Sequence, residues 1–326
     1  MRLIMMGTGP FAEPTFRLLH ETHHQFAALV TSPIRPRHGK AKSVAVVNGM
    51  RDLAHQFGIE IIDPENINLP ESQERLKSYE ADLMIVCDYG QILAAETLGT
   101  ARLGGINLHG SLLPKYRGAA PINWAIYHGE VESGVTVIHM TPRVDAGPCI
   151  GQATTPIEPE ENAVELETRL REIGGWLIRR TVDLLEADQS ELLPQDASLA
   201  SKAPRLKKSD GVIDWSRMSQ QIKNHIRAMD PWPKCFTFWH HSGQHRPKGQ
   251  PVRLIVEPLT VVEGFAEAMD AAPGKVLEAE GDRLVIKTGD GAVLLGQLQP
   301  AGKRVMNIDE FLRGYRVTVG ERFGPQ

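Results

Sequence analysis

The sequence predicts an α/β protein: a Rossmann-like domain with a mostly parallel sheet, followed by a small OB-like β-barrel domain. Three observations carry this. Apolar runs alternate with helical patterns over the first half, a polar stretch interrupts near residue 190, and strand-like runs with Gly and Asp turns fill the remainder. A chain of 326 residues also exceeds what one hydrophobic core usually serves. With 41% hydrophobic and 23% charged residues, neither a disordered nor a collagen-like chain fits.

Residues 2–6 read as a buried strand ended by Gly7-Thr8-Gly9, and Phe11, Phe16 and Leu19 then take helical spacing. Phe26–Val30, Ile59–Ile62, Leu83–Cys87 and Gly105–Leu108 follow as short apolar runs, with helix-like stretches such as Val46–Phe57 between them. This alternation implies right-handed crossovers and parallel strands. Val135–Met140 and Cys149–Thr155 lie too close for a helix between them, so an antiparallel edge is expected. Ala163–Ala187 has Leu166, Leu170, Ile173, Leu177 and Leu184 on one face and closes the first domain, 1–188. Residues 189–210, with Pro194, Pro204 and four serines, have linker composition. The second domain, 211–326, shows a helix over Met218–Met229 and five strands: Cys235–Trp239, Val252–Glu257, Gly274–Leu277, Leu284–Lys287 and Val293–Leu298.

Charge is unevenly divided. Lys and Arg outnumber Asp and Glu by 19 to 14 over residues 202–326, and fall short by 17 to 26 over residues 1–201. The basic half is the one suited to a polyanion. No apolar run reaches the roughly 18 residues of a membrane helix, and Met1–Met6 lacks the form of a signal peptide. Cys87, Cys149 and Cys235 are odd in number and far apart, which suits reduced thiols. A cytoplasmic location is expected, with no membrane contact and no obligate protein partner.

Gly7-Thr8-Gly9-Pro10-Phe11-Ala12 fits the dinucleotide fingerprint in form. The second strand, however, ends in Thr31-Ser32-Pro33 with no carboxylate for a ribose, so the glycines are read as a tight turn. Arg35, Arg37, Lys40 and Lys42 crowd an eight-residue loop in which Pro and Gly prevent regular structure, leaving either a phosphate clamp or a solvated loop. His240, His241 and His245 lack a Cys or carboxylate at matching spacing, so no metal is expected there, and His20, His23 and His24 are read as a surface helix end.

The most informative stretch is Ile106-Asn107-Leu108-His109-Gly110-Ser111-Leu112-Leu113-Pro114. Strand alternation sends Asn107 and His109 to one face where the strand runs out. A carboxamide donor and an imidazole placed so could stabilise an oxyanion and move a proton. Asp145, in a glycine turn after another strand, could pair with His109 and fix its tautomer. Taken alone, an Asn and a His there could equally be caps of a strand and a turn.

The block from Asn107 through Lys115-Tyr116-Arg117-Gly118-Ala119-Ala120-Pro121-Ile122 strongly resembles the signature of the 10-formyltetrahydrofolate-dependent formyltransferases. Gly134-Val135-Thr136-Val137 followed by Asp145-Ala146-Gly147 is similar to that family's second signature. Ala203-Pro204-Arg205-Leu206-Lys207, Asp210 to Trp215, Asp230-Pro231-Trp232-Pro233 and the run from Gly289 to Lys303 resemble the branch that acts on methionyl-tRNA. The resemblance implies that Asn107, His109 and Asp145 are catalytic, and that Ser111, Leu112, Leu113 and Pro114 contact the folate co-substrate. It further implies that Arg35, Arg37, Lys40 and Lys42 meet the acceptor stem of initiator tRNA, with the second domain helping to hold that tRNA, and that no metal takes part. The basic loop departs from the usual pattern by lacking a glycine-arginine-glycine core, and Asp88 stands where a small apolar residue is typical, either hydrogen-bonding the pterin or facing water, with water favoured. Gly110 and Tyr116 are closer to relatives that formylate amino-sugar nucleotides, which makes such a nucleotide the alternative substrate.

Overall fold

The computed structural model describes residues 1–34, 49–241, 250–265 and 270–325. The chain divides into two compact units, the first formed by 1–121, 132–156 and 165–204, the second by 122–131, 157–164 and 205–326.

In the first unit, β1 (Arg2–Gly7), α1 (Glu13–His20), β2 (Gln25–Val30), α2 (Gly49–Phe57), β3 (Ile61–Ile62), α3 (Pro70–Ser78), β4 (Leu83–Cys87), α4 (Ala95–Leu98) and β5 (Gly105–His109) alternate as the apolar runs predict. The short β6 (Arg117–Gly118) and helix α5 (Pro121–His128) follow, then β7 (Glu132–His139) and β8 (Cys149–Pro156). The seven-stranded sheet runs β3-β2-β1-β4-β5-β7-β8. Its β1, β2, β3, β4 and β5 pair in parallel, and β5–β7 and β7–β8 are antiparallel, the edge that the short spacing of 135–155 implied. The order reverses between β1 and β4. In an open α/β sheet such a switch opens a crevice at the strands' carboxyl ends, here beside Gly7-Thr8-Gly9 and Asp88.

The strands are apolar on both faces because both are covered. Ile4, Met6, Val30, Met84 and Val86 join Leu76 and Leu93 in one buried cluster. Phe16 on α1 stacks edge-on against Phe26, with centroids 4.8 Å apart. Helix α6 (Ala163–Glu186) crosses β5 closely: a Cβ on Gly174 would lie 2.5 Å from Leu108 Cδ2, and one on Gly175 would lie 2.9 Å from Leu18 Cδ1. Gly174 therefore lets α6 lie close on β5, the strand carrying Asn107 and His109, and Gly175 lets it lie close on α1. His24, expected on the surface, instead has its ring fully buried, with Nε2 3.2 Å from Asp183 on α6. Burial is the main reason its pKa is lowered.

Residues 189–204, of linker composition, are fastened to the first unit. Leu193 and Cys149 exchange two backbone hydrogen bonds of 2.8 Å, and β9 (Lys202–Ala203) pairs in parallel with β6.

The second unit contains α7 (Ser219–Ala228), β10 (Phe236–His240), β11 (Val252–Val256), β12 (Leu259–Val262), β13 (Val276–Glu280), β14 (Arg283–Lys287), β15 (Ala292–Leu295), β16 (Gln297–Pro300), β17 (Met306–Asn307), α8 (Ile308–Tyr315) and β18 (Arg322–Gly324). These strands make two antiparallel sheets, β17-β16-β11-β10-β18 and β12-β15-β14-β13. The architecture is the small β module expected, but Val293–Leu298 divides at Gly296, and β12, β17 and β18 add three strands. Gly296 N donates to Pro258 O at 2.9 Å, which bends the chain from one sheet to the other. The returning segment 122–131 packs on α7, with Arg217 over the Tyr127 ring at 4.6 Å and Asn123 Nδ2 donating to Ala228 O at 2.8 Å.

Candidate active site

Asn107 and His109 stand two residues apart at the carboxyl end of β5, so both side chains leave the same face of the sheet. Asn107 is half-buried, and its carboxamide makes no hydrogen bond among the described residues. An amide left open at a strand end is a donor available to a ligand.

His109 is 5% exposed and its Nε2 lies 2.9 Å from the carbonyl oxygen of Tyr116. A carbonyl only accepts, so Nε2 carries a proton and donates it. Nδ1 then faces Asp145 Oδ2 at 3.6 Å. Asp145 was expected to fix the tautomer; the Tyr116 carbonyl does so instead. In that tautomer Nδ1 is bare, and at 3.6 Å the carboxylate stands beside it without a hydrogen bond.

Asp145 is placed by a turn in which its own backbone is left-handed, φ 50°. Its Oδ2 accepts from Gly118 N at 2.8 Å. Gly118 has φ 128°, and a Cβ there would come within 2.4 Å of Ala203 O, so only glycine lets β6 lie beside β9 and turn its N–H to the carboxylate. The other side of the Asp145 turn is held by Gln195, whose Nε2 donates to Asp145 O at 2.9 Å and to Gly147 O at 2.7 Å.

The next segment leaves β5 and folds back. Ser111 is 1% exposed and donates through Oγ to Lys115 O at 2.7 Å. Its carbonyl accepts from Thr136 Oγ1 at 2.6 Å, while Leu113 N donates to that same Oγ1 at 3.1 Å. Gln152 Nε2 donates to Leu113 O at 3.0 Å. The Ser111 hydroxyl is thus taken up by the protein and the Leu113 side chain is buried, leaving Leu112 and Pro114 as the half-buried pair that offers apolar surface. Thr136 and Gln152 lie directly opposed on β7 and β8; Thr136 stands in the second signature without a role assigned to it, and Gln152 was not singled out from sequence. A hydroxyl within the apolar run Val135–Ile138 was the available signal.

Asp88 follows β4 with φ 49°, reaching solvent on its outer side while its carboxylate leans over the first glycine turn. A Cβ on Gly9 would lie 1.9 Å from its Oδ2, so the turn's second glycine makes room for this carboxylate. Partial desolvation pushes the Asp88 pKa up, and the same cause, followed by the Asp88 charge, raises that of Glu167 on α6. Arg35, Arg37, Lys40 and Lys42 lie outside the described residues, as does His245. His23, His24 and Asp183 bring three possible metal-ligating atoms within 4.8 Å of one another, but hydrogen bonds already join His24 to Asp183 and His23 to Glu186. No helix among the described residues is long and apolar enough to cross a membrane.

Known proteins resemble the chain over nearly its whole length. Residues 1–182 match the formyl transferase family, and residues 205–316 match the formyl transferase C-terminal domain. A methionyl-tRNA formyltransferase of Rhodopirellula baltica is 42% identical, with 99% of this chain and 96% of that protein covered. Another, from Moorella thermoacetica, is 37% identical, with 99% of each covered. Among solved structures, the sugar 3N-formyl transferase WlaRD, crystallised with dTDP and 5-N-formyl-THF, superposes with a TM-score of 0.64 at 18% identity, covering 93% of this chain and 99% of that one. An N-formyltransferase from Helicobacter canadensis has a TM-score of 0.64 at 20% identity, covering 91% of this chain and 99% of that one. At such identities the likeness speaks for the fold alone. The near full-length relatives and both matched domains show that the chain belongs to the methionyl-tRNA formyltransferase family.

Proposed function

We propose that this formyltransferase moves the formyl group of 10-formyltetrahydrofolate onto the α-amino group of methionine carried by initiator tRNA. The observation that carries the reading is the open Asn107 carboxamide on the same strand face as the His109–Asp145 pair, in a chain up to 42% identical to methionyl-tRNA formyltransferases.

The amine, in its neutral form, bonds to the formyl carbon and drives the carbonyl electron pair onto oxygen. Asn107 Nδ2 donates to that oxyanion as it forms, a contact stronger in the transition state than in the ground state. The Asp145 carboxylate, beside His109 Nδ1, accepts the proton that the nitrogen sheds. Collapse then breaks the bond to N10 of the folate, which leaves with that proton. No protein nucleophile enters the balance. Leu112 and Pro114 offer apolar surface to the pterin, and Asp88, at the sheet's switch point, is placed to meet its polar edge. The cation excess of residues 202–326 supports salt-sensitive attraction to the tRNA backbone, with Arg35, Arg37, Lys40 and Lys42 adding to it.

The test uses purified chain, 10-formyltetrahydrofolate and either charged initiator tRNA or a nucleotide-linked amino sugar. Formylmethionyl-tRNA as the product supports the reading. Formylated amino sugar without formylmethionyl-tRNA, or no product from either amine although folate binds, overturns it.

A further inference from the structure

Residues 183–204 fall between the two matched family domains. Their composition is polar, and from 191 to 202 every residue is exposed except one: Gln195 is half-buried. Burial against such a background needs a cause, and the bonding of its side chain gives one. Both amide protons of Gln195 are used on the catalytic turn, one to the carbonyl of Asp145 at 2.9 Å and one to that of Gly147 at 2.7 Å. Its Oε1 accepts from Arg117 Nε at 3.1 Å and from an Arg117 terminal nitrogen at 2.6 Å. Arg117 is next to Gly118, whose N–H holds the Asp145 carboxylate. One carboxamide therefore ties the backbone of Asp145 to the strand that binds its side chain.

The surrounding chain is anchored at both ends. Leu193 pairs with Cys149, just past the catalytic turn, and Ser201 Oγ accepts from Tyr116 N at 2.8 Å. Tyr116 is also the residue whose carbonyl sets the His109 tautomer. The stretch 193–203 thus touches each backbone element that orients His109 and Asp145, without contributing a group to the chemistry.

We infer that residues 193–203 act as a strap over the catalytic loops and that Gln195 is a positioning residue for formyl transfer, holding Asp145 at its 3.6 Å spacing from His109. The inference rests on the catalytic reading of Asp145. A glutamine suits the task because it donates twice and accepts on one planar group; a glutamate of the same shape keeps the Arg117 contact but turns carboxylate oxygen toward two carbonyls.

Gln195→Glu and Gln195→Ala are to be compared with Asp145→Asn as the complete enzyme. Circular dichroism and tetrahydrofolate binding establish that each is folded and loaded. The expected result is a kcat lowered about ten- to a hundredfold in both Gln195 variants, KM for both substrates within about threefold, and Glu no better than Ala despite its shape. The acid limb of the kcat–pH profile should also move in Gln195→Ala, which adds no charge of its own, a change that a purely structural residue would not cause. Normal kcat in both Gln195 variants with an inactive Asp145→Asn overturns the strap while leaving the catalytic reading standing. An active Asp145→Asn overturns the catalytic reading itself. Should Gln195→Ala unfold, the isosteric Glu variant decides alone.

Discussion

Replacing Asn107 by alanine separates catalysis from stability unusually well at this site. The carboxamide is half-buried and makes no hydrogen bond among the described residues, so its removal leaves no protein group unpaired. The backbone partners of Asn107 in the sheet, beside Ile138 on β7 and Val86 on β4, are untouched by the change. Folding stability should therefore shift by less than about 1 kcal/mol, within the range of surface substitutions and far from the cost of a broken buried network. Catalysis should respond quite differently. An oxyanion donor is typically worth about 3 kcal/mol of barrier, so kcat should fall by about a hundredfold to a thousandfold. Because the contact tightens only as charge develops, KM for both substrates should stay within about threefold. The assay is steady-state formylation of methionyl-tRNA, run beside chemical denaturation of both proteins. Asn107→Asp, which puts negative charge against the oxyanion, should be at least as slow as alanine. A kcat for Asn107→Ala within about twofold of wild type would refute the oxyanion assignment.

Other consequences follow from single contacts. Gly118→Ala should lower both the unfolding midpoint and kcat, because its Cβ would sit 2.4 Å from Ala203 O and displace the N–H from Asp145; a fully active variant in the formylation assay would contradict this. The Tyr89 hydroxyl is buried with no hydrogen-bond partner among the described residues, so Tyr89→Phe should leave the denaturant midpoint unchanged or raise it by about 1 kcal/mol equivalent; a marked drop would show that the hydroxyl is bonded in solution. Burial, first among its causes, lowers the His225 pKa below that of the unfolded chain. As pH falls through about 6.5 the unfolded state takes up the proton first, so stability declines there, and His225→Gln should flatten the change in denaturant midpoint between about pH 7.5 and 5.5.

What could be read from the residues was what depends on local order. Alternation along Ile106–His109 placed Asn107 and His109 together because the period of a strand is fixed, and the crowding of 135–155 implied the antiparallel edge because no helix fits there. The partner that sets the His109 tautomer is the Tyr116 carbonyl, a backbone atom whose placement depends on a loop folding back. Gln195 escaped notice for a related reason. Its segment reads as linker since its neighbours are exposed, and only the tertiary pairing of Leu193 with Cys149 and of β9 with β6 brings it to the Asp145 turn. Helix α8 was open to detection: Asn307 precedes it and Glu310 Oε2 accepts from Asn307 N at 3.3 Å, the spacing of a capping box. The two-residue β17 and three-residue β18 were not, since runs so short become strands only when a sheet receives them.

The central claim is that Asn107 and Asp145 serve one transition state, and a double-variant cycle measures that directly. With kcat for formyl transfer determined for Asn107→Ala, Asp145→Asn and the pair, the combined loss should be much smaller than the product of the separate losses, since groups that serve one transition state as a unit fail together. Losses that multiply independently, or a double variant that still turns over near the wild-type rate, would contradict the account.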